Sequence, residues 1–199
     1  MAAVIAGASG ALIAGGRGSR LGGAAKGLLR LGGEPVVARS LGLFRRLFDD
    51  ALVVANEPAP YLAFGAPVVP DAIAGKGAPG GVHAALRAAR GEWIFAAACD
   101  MPFLSAEGIR LLAARRQGAR AVLVRWEGRL EPLHAFWSKA CLPLFEDRLR
   151  AGDPSLQELA LAAGAAVVEA EEWRAVDPGG RAFENANTPA DLARLGLER

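Results

Sequence analysis

The residues of this chain best suited to chemistry form one stretch, Leu12-Ile13-Ala14-Gly15-Gly16-Arg17-Gly18-Ser19-Arg20-Leu21-Gly22-Gly23-Ala24-Ala25-Lys26-Gly27. A short apolar run ends in a glycine-rich loop that carries no acid. Without a Cβ in the way, glycine N–H groups approach an anion closely and form a cradle for it. Arg20 and Lys26 add full positive charge, the arginine as a planar fork and the lysine as a point charge. Phosphate binding is the chemistry this suits; the plain alternative is a glycine-rich connector with solvated cations. Spacing excludes two common phosphate loops. A Walker-type loop needs serine or threonine after its lysine, and Lys26 is followed by Gly27. The dinucleotide pattern G-x-G-x-x-G fails at Leu21, which stands where the third glycine would pack helix on strand.

Asp100 is the acid of first interest. It lies just past Trp93–Ala98, the best candidate for a central strand, and open α/β sheets bind ligands outside the carboxyl ends of their strands. A cap on the turn before Pro102 is the ordinary alternative. Asp71 and Asn56 follow two other expected strand ends, where a solvated acid and a turn asparagine need no function. Lys76, within Gly75–Gly81, is as readily solvated as functional. His134 by itself is more often a satisfied core or surface histidine than a catalyst. His83 falls on the polar side of its expected helix.

The glycine loop resembles the L-A-G-G-x-S-x-R-M-G-x-x-K signature of nucleotidyltransferases that activate a phosphorylated acceptor with a nucleoside triphosphate. Within that superfamily it is most similar to the molybdenum cofactor guanylyltransferases. Ile13 stands for the signature's leucine and Leu21 for its methionine, conservative changes in a loop that works through backbone and cations. Gly15-Gly16 goes with guanine nucleotide in this group, whereas Ala-Gly goes with cytidine or sugar-nucleotide relatives. Cys99-Asp100-Met101-Pro102-Phe103-Leu104 matches the family's C-D-x-P-x-L block, and Asn185-Ala186-Asn187-Thr188-Pro189 its N-x-N-T-P block. Gly75–Gly81 matches G-P-L-x-G imperfectly, with the proline one place late. The resemblance runs from Ala11 to Leu195.

That resemblance implies transfer of GMP from GTP to a molybdenum-molybdopterin cofactor, giving its guanine dinucleotide form and pyrophosphate. The acceptor's phosphate oxygen would attack the α-phosphorus in line, so positioning and charge neutralisation carry the reaction. The implied catalytic residues are Arg20, Lys26 and Asp100. Nucleotide contacts fall on Ile13, Ala14, Gly15, Gly16, Lys26, Asn56, Asp71 and Asp100. Acceptor contacts fall on Glu131, His134, Asn185 and Asn187. Asp100 would hold Mg²⁺, an ion that prefers one or two carboxylates plus phosphate oxygens and water. Helix capping explains Thr188-Pro189 fully, whereas Asn187 has no evident structural duty. The implied partners are GTP and the molybdopterin-type cofactor, with transient contact to molybdoenzymes or their chaperones. Two other readings stay open. One is a cytidylyl- or sugar-phosphate nucleotidyltransferase on the same scaffold. The other is a non-catalytic delivery module for nucleotide or cofactor, which would tolerate loss of Lys26 or Asp100.

The elements that must position these residues alternate short apolar runs with helical periods, the mark of a largely parallel sheet. Strands are expected at Ala11–Ala14, Ala51–Ala55, Pro67–Val69, Trp93–Ala98 and Ala165–Glu169. Pro35 opens a helix whose Val37, Leu41, Phe44 and Phe48 share one face. Further helices are expected over Gly81–Arg90, from Ser105 to Arg116, over Ser138–Arg150 and Ser155–Gly164, and after the Thr188 cap. Ala121–Arg125 and Leu130–Trp137 read as a hairpin turning at Gly128. The predicted fold is a Rossmann-like three-layer α/β/α arrangement with a mostly parallel central sheet and a small acceptor-binding β-hairpin region. No linker interrupts the chain, so 1–199 is expected to be one domain. About 11–118 would form the nucleotide-binding half and about 119–199 the acceptor-binding half.

Composition sets the outer bounds. Of 199 residues, 52% are hydrophobic and 22% charged, enough for a sizeable core. Lysine and arginine outnumber the acids by only two, 23 against 21, which argues against nucleic acid as a partner. No apolar run reaches 18 residues, so no membrane partner is expected. Met1 to Ala14 lacks a basic start and reads as a tail plus first strand rather than a signal peptide. Cys99 and Cys141 form no C-x-x-C pair and, with two histidines, make a zinc cluster improbable. As reduced, buried thiols they fit the cytoplasm.

Overall fold

The computed structural model describes residues 4–14 and 26–199. Its first half runs β1 (Ala8–Ile13), β2 (Arg30–Leu31), β3 (Glu34–Pro35), α1 (Val36–Leu47), β4 (Asp50–Val54), β5 (Val68–Val69), α2 (Gly77–Ala88), β6 (Trp93–Ala98) and α3 (Ala106–Ala113). The second half adds β7 (Ala121–Trp126), β8 (Arg129–Leu130), β9 (His134–Ser138), α4 (Leu142–Ala151), α5 (Leu156–Ala163), β10 (Ala166–Glu169), α6 (Ala170–Trp173), α7 (Pro189–Leu195) and β11 (Leu197–Glu198).

The main sheet has the order β10-β7-β9-β6-β1-β4-β5, with β8 beside β7. β1 lies parallel to both β4 and β6, and β4 parallel to β5. All six residues of β1 are buried, as in a strand covered on both faces, and its one polar side chain, Ser9, donates to Asp50 and accepts from Gly91 N–H. β9 runs antiparallel between β6 and β7, and β10 returns parallel to β7. From β1 the chain goes to β4 on one side, while β6 lies on the other. This makes the carboxyl end of β1 a switch point, the place where such sheets open a crevice.

Alternation along β6 feeds two cores. Phe95 joins Phe44, Phe48, Phe136 and Trp173 on one face of the sheet. Ile94 and Ala96 join Val82, Leu86, Trp137 and Phe145 on the other. The helical periods expected for α1 and α2 are the reason: Val37, Leu41 and Phe44 are buried, as are Val82 and Leu86. Gly10 lets α1 sit close, since a Cβ there would lie 2.6 Å from the Phe44 ring. Gly81 does the same for α2, where a Cβ would meet Ile13 Cγ2 at 2.8 Å. A third, smaller cluster of Leu29, Val36, Leu192, Leu195 and Leu197 lies beside the sheet β11-β2-β3. It ties the C-terminal helix to the segment that follows the glycine loop.

Several expectations change; the first strand begins at Ala8 rather than Ala11, and the helix expected from Ser138 begins at Leu142. α2 starts at Gly77, four residues early, because Pro79 falls in the first turn, where its missing N–H costs little. The expected strand Leu130–Trp137 breaks into β8 and β9 around Pro132, which has no N–H for a ladder. His83 is buried rather than on a polar face, because α4 covers that side of α2 and puts Glu146 Oε1 3.6 Å from His83 Nε2. No helix among the described residues is long and apolar enough to cross a membrane.

Candidate active site

A cleft of about 1470 Å³ opens along the sheet rim where β1, β4 and β6 end. Backbone hydrogen bonds carry the ladder to that edge: Ala14 N–H donates to Val54 O, Ala55 N–H to Val69 O and Cys99 N–H to Ile13 O. The strand order sets the site's layout. Asn56 follows β4, Ala14 follows β1, Asp100 follows β6, and Glu131 sits in the turn that leads into β9. The cleft lining includes Ile13, Ala14, Lys26, Asn56, Asp100, Glu131, Asn185 and Asn187, eight of the residues expected from sequence.

Lys26, Asp100 and Asn187 meet at its centre. Lys26 Nζ donates to Asp100 Oδ2 at 2.8 Å and to the Asn187 side-chain oxygen. Asn187 Nδ2 donates to Asn185 Oδ1 at 2.7 Å. Asp100 is mostly buried, and its backbone oxygen accepts from Ala186 N–H at 3.1 Å. The N-x-N block is therefore fastened to the β6 end on one side and to the lysine on the other. Asn187, without evident duty in the sequence, is the hub of this contact. Thr188 acts as expected: its hydroxyl caps α7 by accepting from Asp191 N–H, in a capping box closed by the Asp191 carboxylate.

Asp71 is not among the residues lining the cleft, but it holds one that is. Its carboxylate accepts from Asn56 Nδ2 at 2.8 Å, and its N–H donates to Asn56 Oδ1 at 2.9 Å. Two bonds on one amide fix the way Asn56 faces the cleft. Lys76 is neither solvated nor in the cleft lining; it bonds Gly152 O and Asp153 Oδ1, joining α2's start to the α4–α5 turn. Gly15, Gly16 and Arg20 lie outside the described residues.

His134 is a correction. The expected acceptor contact is fully buried outside the cleft lining, edge-on to the rings of Phe95, Trp173 and Phe183. Neither ring nitrogen has a hydrogen-bond partner among the described residues. Burial drives its pKa down to about 3, against a weaker upward pull from Asp177. A neutral imidazole walled by aromatics is a core residue, and the β9 register puts it there by pairing it with Ala97.

Glu131 does face the cleft, half-buried, and burial raises its pKa to about 7 against the opposing pull of Arg129. Sequence reasoning missed Tyr61, a buried residue of the cleft lining whose ring packs 3.1 Å from where a Gly27 Cβ would be. Its being the chain's one tyrosine, between prolines and an apolar run, was the available signal. Burial lifts the Tyr61 hydroxyl well above its usual range and the neighbouring Cys99 thiol to about 12, so both stay protonated. Ser155 and Gln157, at the capped start of α5, and Arg194 of α7 also reach the lining. The S-x-x-E cap could have located the first pair; nothing local marks Arg194.

The donor set offers a cation one mostly buried carboxylate, Asp100, beside a large open cleft. No group of three or more His, Cys, Asp or Glu side chains gathers among the described residues, so the cleft is no all-protein cage. One carboxylate with room for phosphate oxygens and water fits Mg²⁺.

Residues 10–168 match the family described as MobA-like NTP transferase domain. The chain is 35% identical to a probable molybdenum cofactor guanylyltransferase of Pelotomaculum thermopropionicum, covering 94% of this chain and 91% of that protein. It is 36% identical to a molybdenum cofactor guanylyltransferase of Pseudomonas putida, covering 91% and 93%. Its fold is similar to the crystal structure of molybdopterin-guanine dinucleotide biosynthesis protein A from Archaeoglobus fulgidus, with TM-score 0.81, 26% identity and 94% and 96% coverage. A 2-C-methyl-D-erythritol 4-phosphate cytidylyltransferase from Thermus thermophilus shares the fold alone, at TM-score 0.67 and 19% identity over 93% and 95% of the two chains. Matched over most of its length, and with its strand-end residues gathered in one cleft, the chain belongs to the MobA-like NTP transferase family.

Proposed function

We propose that this protein transfers GMP from GTP to a molybdenum-molybdopterin cofactor, releasing pyrophosphate. The observation that carries the reading is the meeting of Lys26, Asp100 and Asn187 at the rim between β1 and β6. The names of relatives covering nine-tenths of the chain supply the substrates.

On this reading Lys26 neutralises triphosphate charge, a role that the resemblance extends to Gly15, Gly16 and Arg20 of the loop. Ile13 and Ala14 form the floor under the nucleotide, and Asn56, held by Asp71, reads its base or ribose with an amide that both donates and accepts. Asp100 is the residue that would hold Mg²⁺, which when bound supplies charge neutralisation at the α- and leaving-phosphate oxygens. Asn185, Asn187 and Glu131 face the acceptor across Asp100. About 11–118 then serves the nucleotide and about 119–199 the acceptor. The cleft's amide groups can donate to the phosphates, and no protein nucleophile is needed for in-line attack. Two unpaired cysteines support the reducing cytoplasm as the compartment, where molybdoenzymes or their chaperones would take the product.

The test is pyrophosphate release from GTP, CTP or UTP with the molybdenum-bearing pterin phosphate and Mg²⁺. Release with GTP alone is expected, together with a larger rise in melting temperature from GTP than from CTP or UTP. Equal release from CTP would move the protein to the cytidylyl reading. No release from any nucleotide, with GTP still stabilising the fold, would favour a delivery module.

A further inference from the structure

Glu131 is a half-buried carboxyl in the cleft that the reaction as described uses for no chemistry. The turn carrying it is fastened at four points. Glu131 N–H donates to Val124 O at 2.9 Å, and Glu131 O accepts from His134 N–H at 3.1 Å. Pro132 O accepts from the buried Trp137 Nε1 at 3.1 Å, and Leu133 O from Ala98 N–H at 3.2 Å. The last bond ties the turn to the strand that ends two residues before Asp100.

The Glu131 carboxylate itself meets no donor among the described residues. Burial outweighs the one opposing influence, the charge of Arg129, and no hydrogen bond to the group is made among the described residues. A fixed, partly desolvated carboxylate is costly until an occupant supplies donors. A carboxylate offers two oxygens side by side and is best matched by two adjacent N–H groups.

The proposed substrates present such a pair twice. Guanine and pterin both carry an amino group next to a ring N–H, the amino-pyrimidinone edge. Strand order separates the two. Asn56 follows β4, two strands from β6 on one side, whereas Glu131 precedes β9, one strand from β6 on the other. Neighbouring strands are about 4.8 Å apart, so Glu131 lies across Asp100 from the nucleotide wall.

We propose that Glu131 recognises the amino-pyrimidinone edge of the pterin acceptor, taking its amino and ring N–H groups on the two carboxylate oxygens. The assignment rests on the proposed function for the identity of the acceptor, and it names the residue that selects it.

The experiment uses 6-hydroxymethylpterin and the matching lumazine, in which the amino group is an oxo group, with the pterin's own fluorescence as readout. The wild-type protein is expected to bind the pterin at least tenfold more tightly than the lumazine. Glu131→Gln, equal in shape but able to accept on one atom only, is expected to lose that preference and keep the GTP-dependent rise in melting temperature. The wild-type comparison needs no variant to fold, and its absence of preference overturns the proposal. A Glu131→Gln protein that keeps the preference overturns it too. One that loses the GTP response and keeps pterin binding places the carboxylate on guanine instead. Failure of pyrophosphate release alongside an intact, Glu131-dependent pterin preference would sink the transferase reading and leave this assignment standing.

Discussion

Replacing His134 with phenylalanine tests the burial argument most sharply. The imidazole is fully buried among Phe95, Trp173 and Phe183, with both nitrogens unpaired among the described residues, and its pKa is about 3 against 6.5 in an open chain. A folded pKa below the unfolded one means that the unfolded chain binds the proton first. The resulting loss of stability is absent above pH 6.5 and grows as pH falls toward 3. Within that window the slope approaches about 1.4 kcal/mol per pH unit, so at pH 5 this one group costs about 2 kcal/mol. His134→Phe removes the term and keeps an aromatic edge for its neighbours. At pH 7.5 its effect is a balance between relieving two unpaired nitrogens and fitting a larger ring, about 1–3 kcal/mol in each direction. The informative quantity is therefore the difference between pH values. Urea unfolding of both proteins at pH 7.5 and pH 5 should show the variant losing about 2 kcal/mol less than the wild type on acidification. His83, whose pKa burial also lowers, is common to both proteins and cancels. Parallel losses would mean that His134 has partners or solvent in the native state, and would reopen it as a cleft residue.

Two further outcomes follow from the same geometry. Lys26→Ala should weaken GTP binding by about 1.5–3 kcal/mol, the worth of one charge-assisted contact, as read by calorimetry. It also strips Asp100 of its ion pair, so thermal stability should fall as well; unchanged GTP affinity in a folded variant would remove the lysine from the phosphate site. Asn187→Ala should reduce turnover more than melting temperature, because it loses its bonds to Lys26 and Asn185, whereas Thr188→Ala should lower stability by about 0.5–2 kcal/mol and leave turnover near wild type. Full turnover in Asn187→Ala would reduce this block to a helix start.

Local rules made much of the molecule legible. Trp93–Ala98 is a strand over the residues expected, because an uninterrupted apolar run bounded by polar residues suits a strand covered on both faces. Ser105, Ser155 and Thr188 cap their helices as their side chains dictate. The hairpin turned at Gly128 as expected, but its second strand breaks after Leu130 and resumes at His134, since Pro132 cannot enter a ladder. Such features depend on neighbours a few residues away, and spacing reports them directly.

The candidate site divides along the same line. Residue type and spacing by themselves marked the glycine loop and the acid after β6, because phosphate chemistry demands particular groups at strand ends, and the family resemblance added the N-x-N-T-P block. What those groups do to one another was decided by the tertiary structure. Lys26 reads from sequence as a cation with no nearby acid, yet it pairs with Asp100, 74 positions on, and with Asn187, 161 positions on. No local period encodes a contact made by strand order. His134 and Glu131 show the same division three residues apart. Both carry titratable groups in one short segment, but the β9 register turns one into an aromatic core and the pinned turn leaves the other facing the cleft. Burial is a property of what packs against a residue from elsewhere in the chain, so the sequence could name both groups and only the fold could separate them.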